Sequence, residues 1–103
     1  MHQGVEKGIM AFDFEWDQVK ADKNRKKHGV SFDDAVTVFA DPFSITVPDP
    51  DHSVGEQRFV DIGTSVSGAV LVVVYTERGD NIRIISCRKA TGSERQLYEE
   101  GDY

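Results

Sequence analysis

The run VLVVVYTERGDNIRIISCR, residues 70–88, decides the fold. It holds two apolar, β-branched runs, residues 70–76 and 82–87, joined by a turn at Arg78-Gly79-Asp80-Asn81. Valine and isoleucine fit a pleated, half-buried surface, and Gly-Asp-Asn carries turn chemistry, so the stretch predicts a β-hairpin. The first run, Val70 to Tyr75, has almost no polar relief on either side. It belongs in the middle of a sheet, covered by helices on one face and partly covered on the other. The second run is mixed. Strict alternation would put Arg83, Ile85 and Cys87 on one face and Ile82, Ile84, Ser86 and Arg88 on the other. Arg78, Arg83 and Arg88, set against Glu77 and Asp80, decorate a largely apolar hairpin, which makes it the place to look for chemistry.

Outward from the hairpin, the chain reads as a small mixed domain. Phe12-Asp13-Phe14-Glu15-Trp16 alternates aromatic and acidic residues, as a strand with one buried face does. Asp17 is an N-cap for a helix over residues 18–28, and Gly29 is its stop. Lys20, Lys23 and Lys27, together with Asn24, fall on one stripe of that helix. Ser31 opens a second helix with an aspartate variant of the capping box, and Phe32, Ala35, Val36 and Phe39 form its apolar face. Asp41-Pro42 ends it. Residues 43–47 predict a short strand and residues 48–53 a loop, since two prolines cannot join a central ladder. Residues 57–63 predict a strand with Arg58, Val60 and Ile62 on one face and Phe59 on the other. Thr91-Gly92-Ser93-Glu94 caps a last helix that Gly101 stops. The order is β-α-α-β-β-β-β-α. The expected class is α+β: a small antiparallel sheet, two N-terminal helices and a short C-terminal helix, with helices mainly on one face. Residues 1–11 read as a flexible N-terminal extension, 12–100 as one domain and 101–103 as a tail.

Length and composition narrow the function. A chain of 103 residues supports one core. No apolar run approaches the roughly 18 residues of a membrane span, and residues 1–10 lack the apolar core of a signal peptide, so neither membrane nor export is expected. A single cysteine, Cys87, excludes an internal disulfide and fits a reducing cytoplasm. His2, His28 and His52 have no partner at metal-ligand spacing, so neither a metal nor a cofactor is expected. The net charge of −6 is unevenly spread: residues 20–27 hold five bases against Asp22 alone, and the hairpin adds Arg78, Arg83, Arg88 and Lys89. Such polarity can steer a polyanion to one face, although a basic run is equally a solvated helix face. His28 at a helix end also suits the helix dipole, and Arg58 suits an ion pair with Glu56 or Asp61.

Four blocks in order resemble the BrnT family of toxins from bacterial type II toxin–antitoxin modules. They are Phe14-Glu15-Trp16-Asp17 with Lys20, Asn24 and Lys27-His28-Gly29-Val30-Ser31-Phe32; Asp41-Pro42; Asp51-His52-Ser53 with Glu56, Arg58 and Ile62-Gly63; and Tyr75-Thr76-Glu77-Arg78 with residues 83–90, Glu94, Arg95 and Tyr98. Cys87 departs from the small residue more usual there. The resemblance implies a RelE-like fold and a metal-independent endoribonuclease that cleaves RNA to inhibit translation in the cytoplasm. It also implies a BrnA-like ribbon-helix-helix antitoxin as partner, with operator DNA met only through that antitoxin. Cleavage by the RNA 2′-hydroxyl needs proton transfer and stabilisation of a phosphorane dianion. Arginine suits the second task and histidine or a tuned carboxylate the first. The expected catalytic set is Arg58, Arg83 and Arg88 around the phosphate, with His28, then Glu77, as acid or base. Lys20, Lys23, Lys27 and Arg78 would bind RNA, although Arg78 could equally brace the hairpin. Arg58, Arg83 or Arg88, and His28 are expected to converge on one open sheet face. Without a bulge near Cys87, only one of Arg83 and Arg88 can reach it, and Arg83 is preferred. A non-catalytic RNA- or ribosome-binding module and a pure antitoxin-binding protein are the alternatives.

Overall fold

A computed structural model describes residues 3–7, 13–49 and 55–101. Phe12 and the Asp51-His52-Ser53 part of the predicted loop lie outside the described residues. Five strands form a mostly antiparallel sheet: β2 (Asp13–Asp17), β3 (Ile45–Pro48), β4 (Arg58–Thr64), β5 (Val70–Arg78) and β6 (Asn81–Lys89). A sixth, β1 (Gln3–Lys7), extends it, in the order β1-β2-β6-β5-β4-β3. The hairpin β5–β6 therefore sits at the centre, as its apolar runs predict.

Two features differ from the expected sheet order. Gln3–Lys7, within the stretch read as an N-terminal extension, form β1, paired antiparallel with β2 from Gln3↔Asp17 to Lys7↔Asp13. An open strand edge presents a row of unpaired N–H and C=O groups, and β1 supplies their partners on that side of β2. The second correction is that β2 runs parallel to β6, through Asp13↔Asn81, Phe14↔Ile82 and Glu15↔Arg83. The intervening helices α1 (Gln18–His28) and α2 (Phe32–Val38) and the strands after them make the long crossover that a parallel pair requires.

The helix ends follow local chemistry. Asp17 accepts hydrogen bonds from the Val19 and Lys20 amides, and Gly29 closes α1 at φ 72°, a left-handed geometry that suits glycine. Ser31 Oγ accepts from Asp34 N at 3.1 Å to start α2. Thr91 and Glu94 form the reciprocal capping box of α3 (Gly92–Glu100).

Both helices α1 and α2 cover one face of the sheet. There Phe14, Trp16, Ala21, Phe32, Ala35, Val36, Leu71, Val73, Ile82, Ile84 and Cys87 form a buried cluster, with Phe39 packed against it. Phe39 meets Phe14 at 5.0 Å and Tyr75 at 4.9 Å between ring centroids, so the predicted α2 face docks as expected. Each fully buried valine, leucine, isoleucine or phenylalanine here contributes about 1.5–3 kcal/mol of transfer free energy, which identifies this cluster as the main core. Contrary to a one-sided layout, α3 lies on the opposite face, where Tyr98 packs on Ile45, Ile62, Val70 and Val72. Because α3 is short, it covers only part of that face.

Candidate functional site

The uncovered part of the α3 face is built by cross-strand register. Arg58 on β4 pairs with Thr76 on β5, Thr76 with Arg83 on β6, and Arg83 with Glu15 on β2. Residues directly opposite in a sheet point to the same side, so this is a single row across four strands. The backbones of Arg58 and Arg83 are two strand spacings apart, about 10 Å. Between them Thr76 is buried and donates its hydroxyl to Gln57 O at 2.8 Å, so no uncommitted polar group separates the arginines. The neighbouring row is Val60, Val74 and Ser86, all half-buried.

Electrostatics hold the row at its β2 end. Arg83 Nη1 lies 3.6 Å from Glu15 Oε1, and the two side chains are only 17% and 15% exposed. Arg78, at the mouth of the hairpin, lies 4.0 Å from the same oxygen, and its Nε is 3.5 Å from Glu56 Oε2. The bracing reading of Arg78 thus has a physical basis, while its half-exposed guanidinium still faces solvent.

Arg88 lies on the same face as Arg83, which strict alternation forbids. Val74 pairs with Ser86 but Tyr75 pairs with Ile84, so Ile85 is an extra residue in β6. This bulge restores Cys87 to the helix-covered core and turns Arg88 toward α3. There Arg88 donates two hydrogen bonds to Glu94, at 2.7 and 2.8 Å. The bidentate pair raises the Arg88 pKa and lowers that of Glu94 to about 2, chiefly through the hydrogen bonds themselves. Arg88 is committed to fixing α3, and Arg83 is the hairpin arginine on the open part of the face. Burial pushes the Cys87 thiol up to about 12, so it is a core residue and not a nucleophile.

The expected proton-transfer groups do not join this row. His28 ends α1, and α1 packs through Ala21 and Asn24 on the opposite side of the sheet. Glu77 follows Thr76, so alternation turns it to that same opposite side, where it stands exposed beyond Tyr75. The expected convergence of His28 with the arginines is therefore corrected: helix packing carries it to the far face. Lys20, Lys23 and Lys27 are exposed on α1, also across the sheet from Arg58 and Arg83. Asn24, expected on their stripe, instead points inward. Its amide donates to Cys87 O (2.8 Å) and Val30 O (3.3 Å) and accepts from Cys87 N (3.1 Å).

Sequence reasoning missed Glu15, whose position in an alternating aromatic–acidic strand reads only as solvent-facing. It also missed a buried carboxylate on the helix side. Asp61 Oδ1 accepts from Thr46 Oγ1 at 2.7 Å and from the Tyr75 hydroxyl at 3.0 Å. Burial raises the pKa of both Asp61 and Tyr75. A concavity of about 660 Å³ lined by Arg25, Asp33, Asp34, Ser67 and Lys89 is also on that side, remote from the arginine row. Its mixed charges and the absence of any inward-pointing unpaired side-chain atom among the described residues give it no evident ligand. Among the described residues no three His, Cys, Asp or Glu side chains are placed to hold a metal ion, and no helix is long and apolar enough to cross a membrane.

Residues 16–94 match a family model described as the ribonuclease toxin BrnT of a type II toxin–antitoxin system. Among solved structures, the crystal structure of the Brucella abortus ribonuclease toxin BrnT superposes with a TM-score of 0.58 at 24% identity. The match covers 74% of this chain and 92% of that one, and shows a shared fold. No curated protein matches the chain.

Proposed function

The chain belongs to the BrnT family of ribonuclease toxins of type II toxin–antitoxin systems, and from that premise we propose that Arg58 and Arg83 form its RNA-cleaving centre. The observation that carries this reading is the row Arg58–Thr76–Arg83–Glu15, which sets two guanidiniums on one open strand face. A phosphodiester bound across the row would receive hydrogen bonds from both forks. Attack of the RNA 2′-hydroxyl on the adjacent phosphorus adds negative charge to the phosphoryl oxygens, and fixed guanidiniums stabilise that charge without reorganising. Two arginines can supply this stabilisation themselves, so the cleavage is proposed to be metal-independent. The target is RNA whose loss inhibits translation.

The partner is proposed to be a BrnA-like ribbon-helix-helix antitoxin that alone contacts operator DNA, with both proteins acting in the cytoplasm. Acidic residues between 33 and 61 and from 94 to 102 offer charge complementarity to a basic partner segment. The deciding experiment incubates antitoxin-free protein with RNA in EDTA. Cleavage should persist, and Arg58→Ala and Arg83→Ala should each lower it by roughly 10²–10³-fold in folded protein. RNA binding without cleavage by the wild type would select the non-catalytic module instead. Wild-type rates in both alanine variants would remove the site from this face.

A further inference from the structure

We infer that Glu15 is the general base of this centre, an assignment that rests on the proposed role of the arginine row. Transfer of the 2′-hydroxyl proton needs an acceptor on the same face as the phosphate. His28 and Glu77 are on the other side of the sheet. On the arginine side, Glu94 is taken up by Arg88, and Glu56 lies at the exposed rim against Arg78. Glu15 is different: it is a member of the row itself, largely shielded, and held 3.6 Å from Arg83 and 4.0 Å from Arg78. Both contacts use Oε1. Both ion pairs leave Oε2 aside, and among the described residues no hydrogen bond reaches it, so one carboxylate oxygen is positioned by the other. β2 is braced on both sides, by β1 and by β6, which makes this a rigid mounting.

The step balances with no further cofactor. Glu15 Oε2 takes the 2′-hydroxyl proton as the 2′-oxygen forms its bond to phosphorus. The bond from phosphorus to the 5′-oxygen breaks, and the 5′-oxygen leaves with the electron pair and takes a proton from solvent water. The products are a 2′,3′-cyclic phosphate and a 5′-hydroxyl. Arg83 touches both the phosphate and the base in this arrangement, and so couples charge stabilisation to base position.

The test separates a base from a brace for Arg83. Glutamine keeps an oxygen able to accept from Arg83 but cannot take up a proton. Glu15→Gln should therefore lower the rate of cyclic-phosphate formation by about 10²–10⁴-fold with RNA affinity retained. Glu15→Asp should keep partial activity, and added formate should partly restore cleavage to Glu15→Ala. Wild-type cleavage by Glu15→Gln alongside a crippled Arg83→Ala overturns the base assignment and leaves the arginine centre standing. Wild-type cleavage by both removes the whole face. Loss of cleavage together with RNA binding in Glu15→Gln, or failure of formate to restore any activity, makes Glu15 a support for Arg83 and overturns the proposal.

Discussion

Replacing Asn24 with alanine should destabilise the protein by about 2–5 kcal/mol, although this residue lies in a helix rich in lysine. β2 pairs with β6 from Asn81 to Arg83, and among the described residues no strand lies beside the outer edge of β6 beyond Arg83. The Asn24 amide takes that place, donating to Cys87 O and accepting from Cys87 N. Asn24 is 8% exposed, and water has little access to replace it. Truncation orphans a buried N–H and a buried C=O, at about 1–3 kcal/mol for each unsatisfied group. A domain of this size loses about 4–8 °C of Tm per kcal/mol, so the expected fall is roughly 8–40 °C. Asn24→Asp should cost at least as much at neutral pH, because a carboxylate would face the Cys87 carbonyl with no donor. Urea unfolding followed by Trp16 fluorescence gives the free energy, and exchange of the Cys87 amide proton reports the local bond. A loss below about 0.5 kcal/mol, the range of ordinary surface changes, would refute the idea that this side chain replaces a strand.

Glu94 makes α3 docking acid-sensitive. Its folded pKa, about 2 because of the Arg88 hydrogen bonds, lies below the ordinary 4.5. Its contribution is therefore complete above about pH 4.5 and is lost as pH falls toward 2; Arg88→Ala should abolish that part of the acid-unfolding profile at a cost of about 1 kcal/mol after solvent screening. Asp61 works in the opposite sense, since burial raises its pKa and disfavours its charged form. Stability should decline as pH rises through the raised value; Asp61→Asn, which keeps an acceptor for Thr46 and Tyr75, should flatten this slope in thermal melts, and an unchanged slope would assign it elsewhere.

Much of the domain could be read from residues a few positions apart. Asp17 and Gly29 bracket α1 because a cap acts on amides or carbonyls within one turn, and Thr91 with Glu94 starts α3 by the same short-range chemistry. Residues 70–78 and 81–89 announced the hairpin because β-branched apolar runs and a Gly-Asp turn are local properties. The family resemblance added the ribonuclease toxin class, which the residues 16–94 match supports. The class and the broad α+β layout were legible; which residues share the candidate site's face was not.

Sequence alone determined where the helices and most of the strands lie, the apolar face of α2, and that arginines crowd the central hairpin. The tertiary structure decided which of those arginines share a face, and with what. One additional residue, Ile85, reverses alternation for everything after it, bringing Arg88 to the Arg83 side and Cys87 into the core. The parallel pairing of β2 with β6 placed Glu15 opposite Arg83, although 68 positions separate them along the chain. Packing of α1 took His28 to the far face and turned Asn24 inward. None of these outcomes is encoded within a few residues. A bulge, a register and the side on which a helix docks are settled by competition among distant side chains for one core, and a one-residue shift in that settlement changes which groups can meet a substrate.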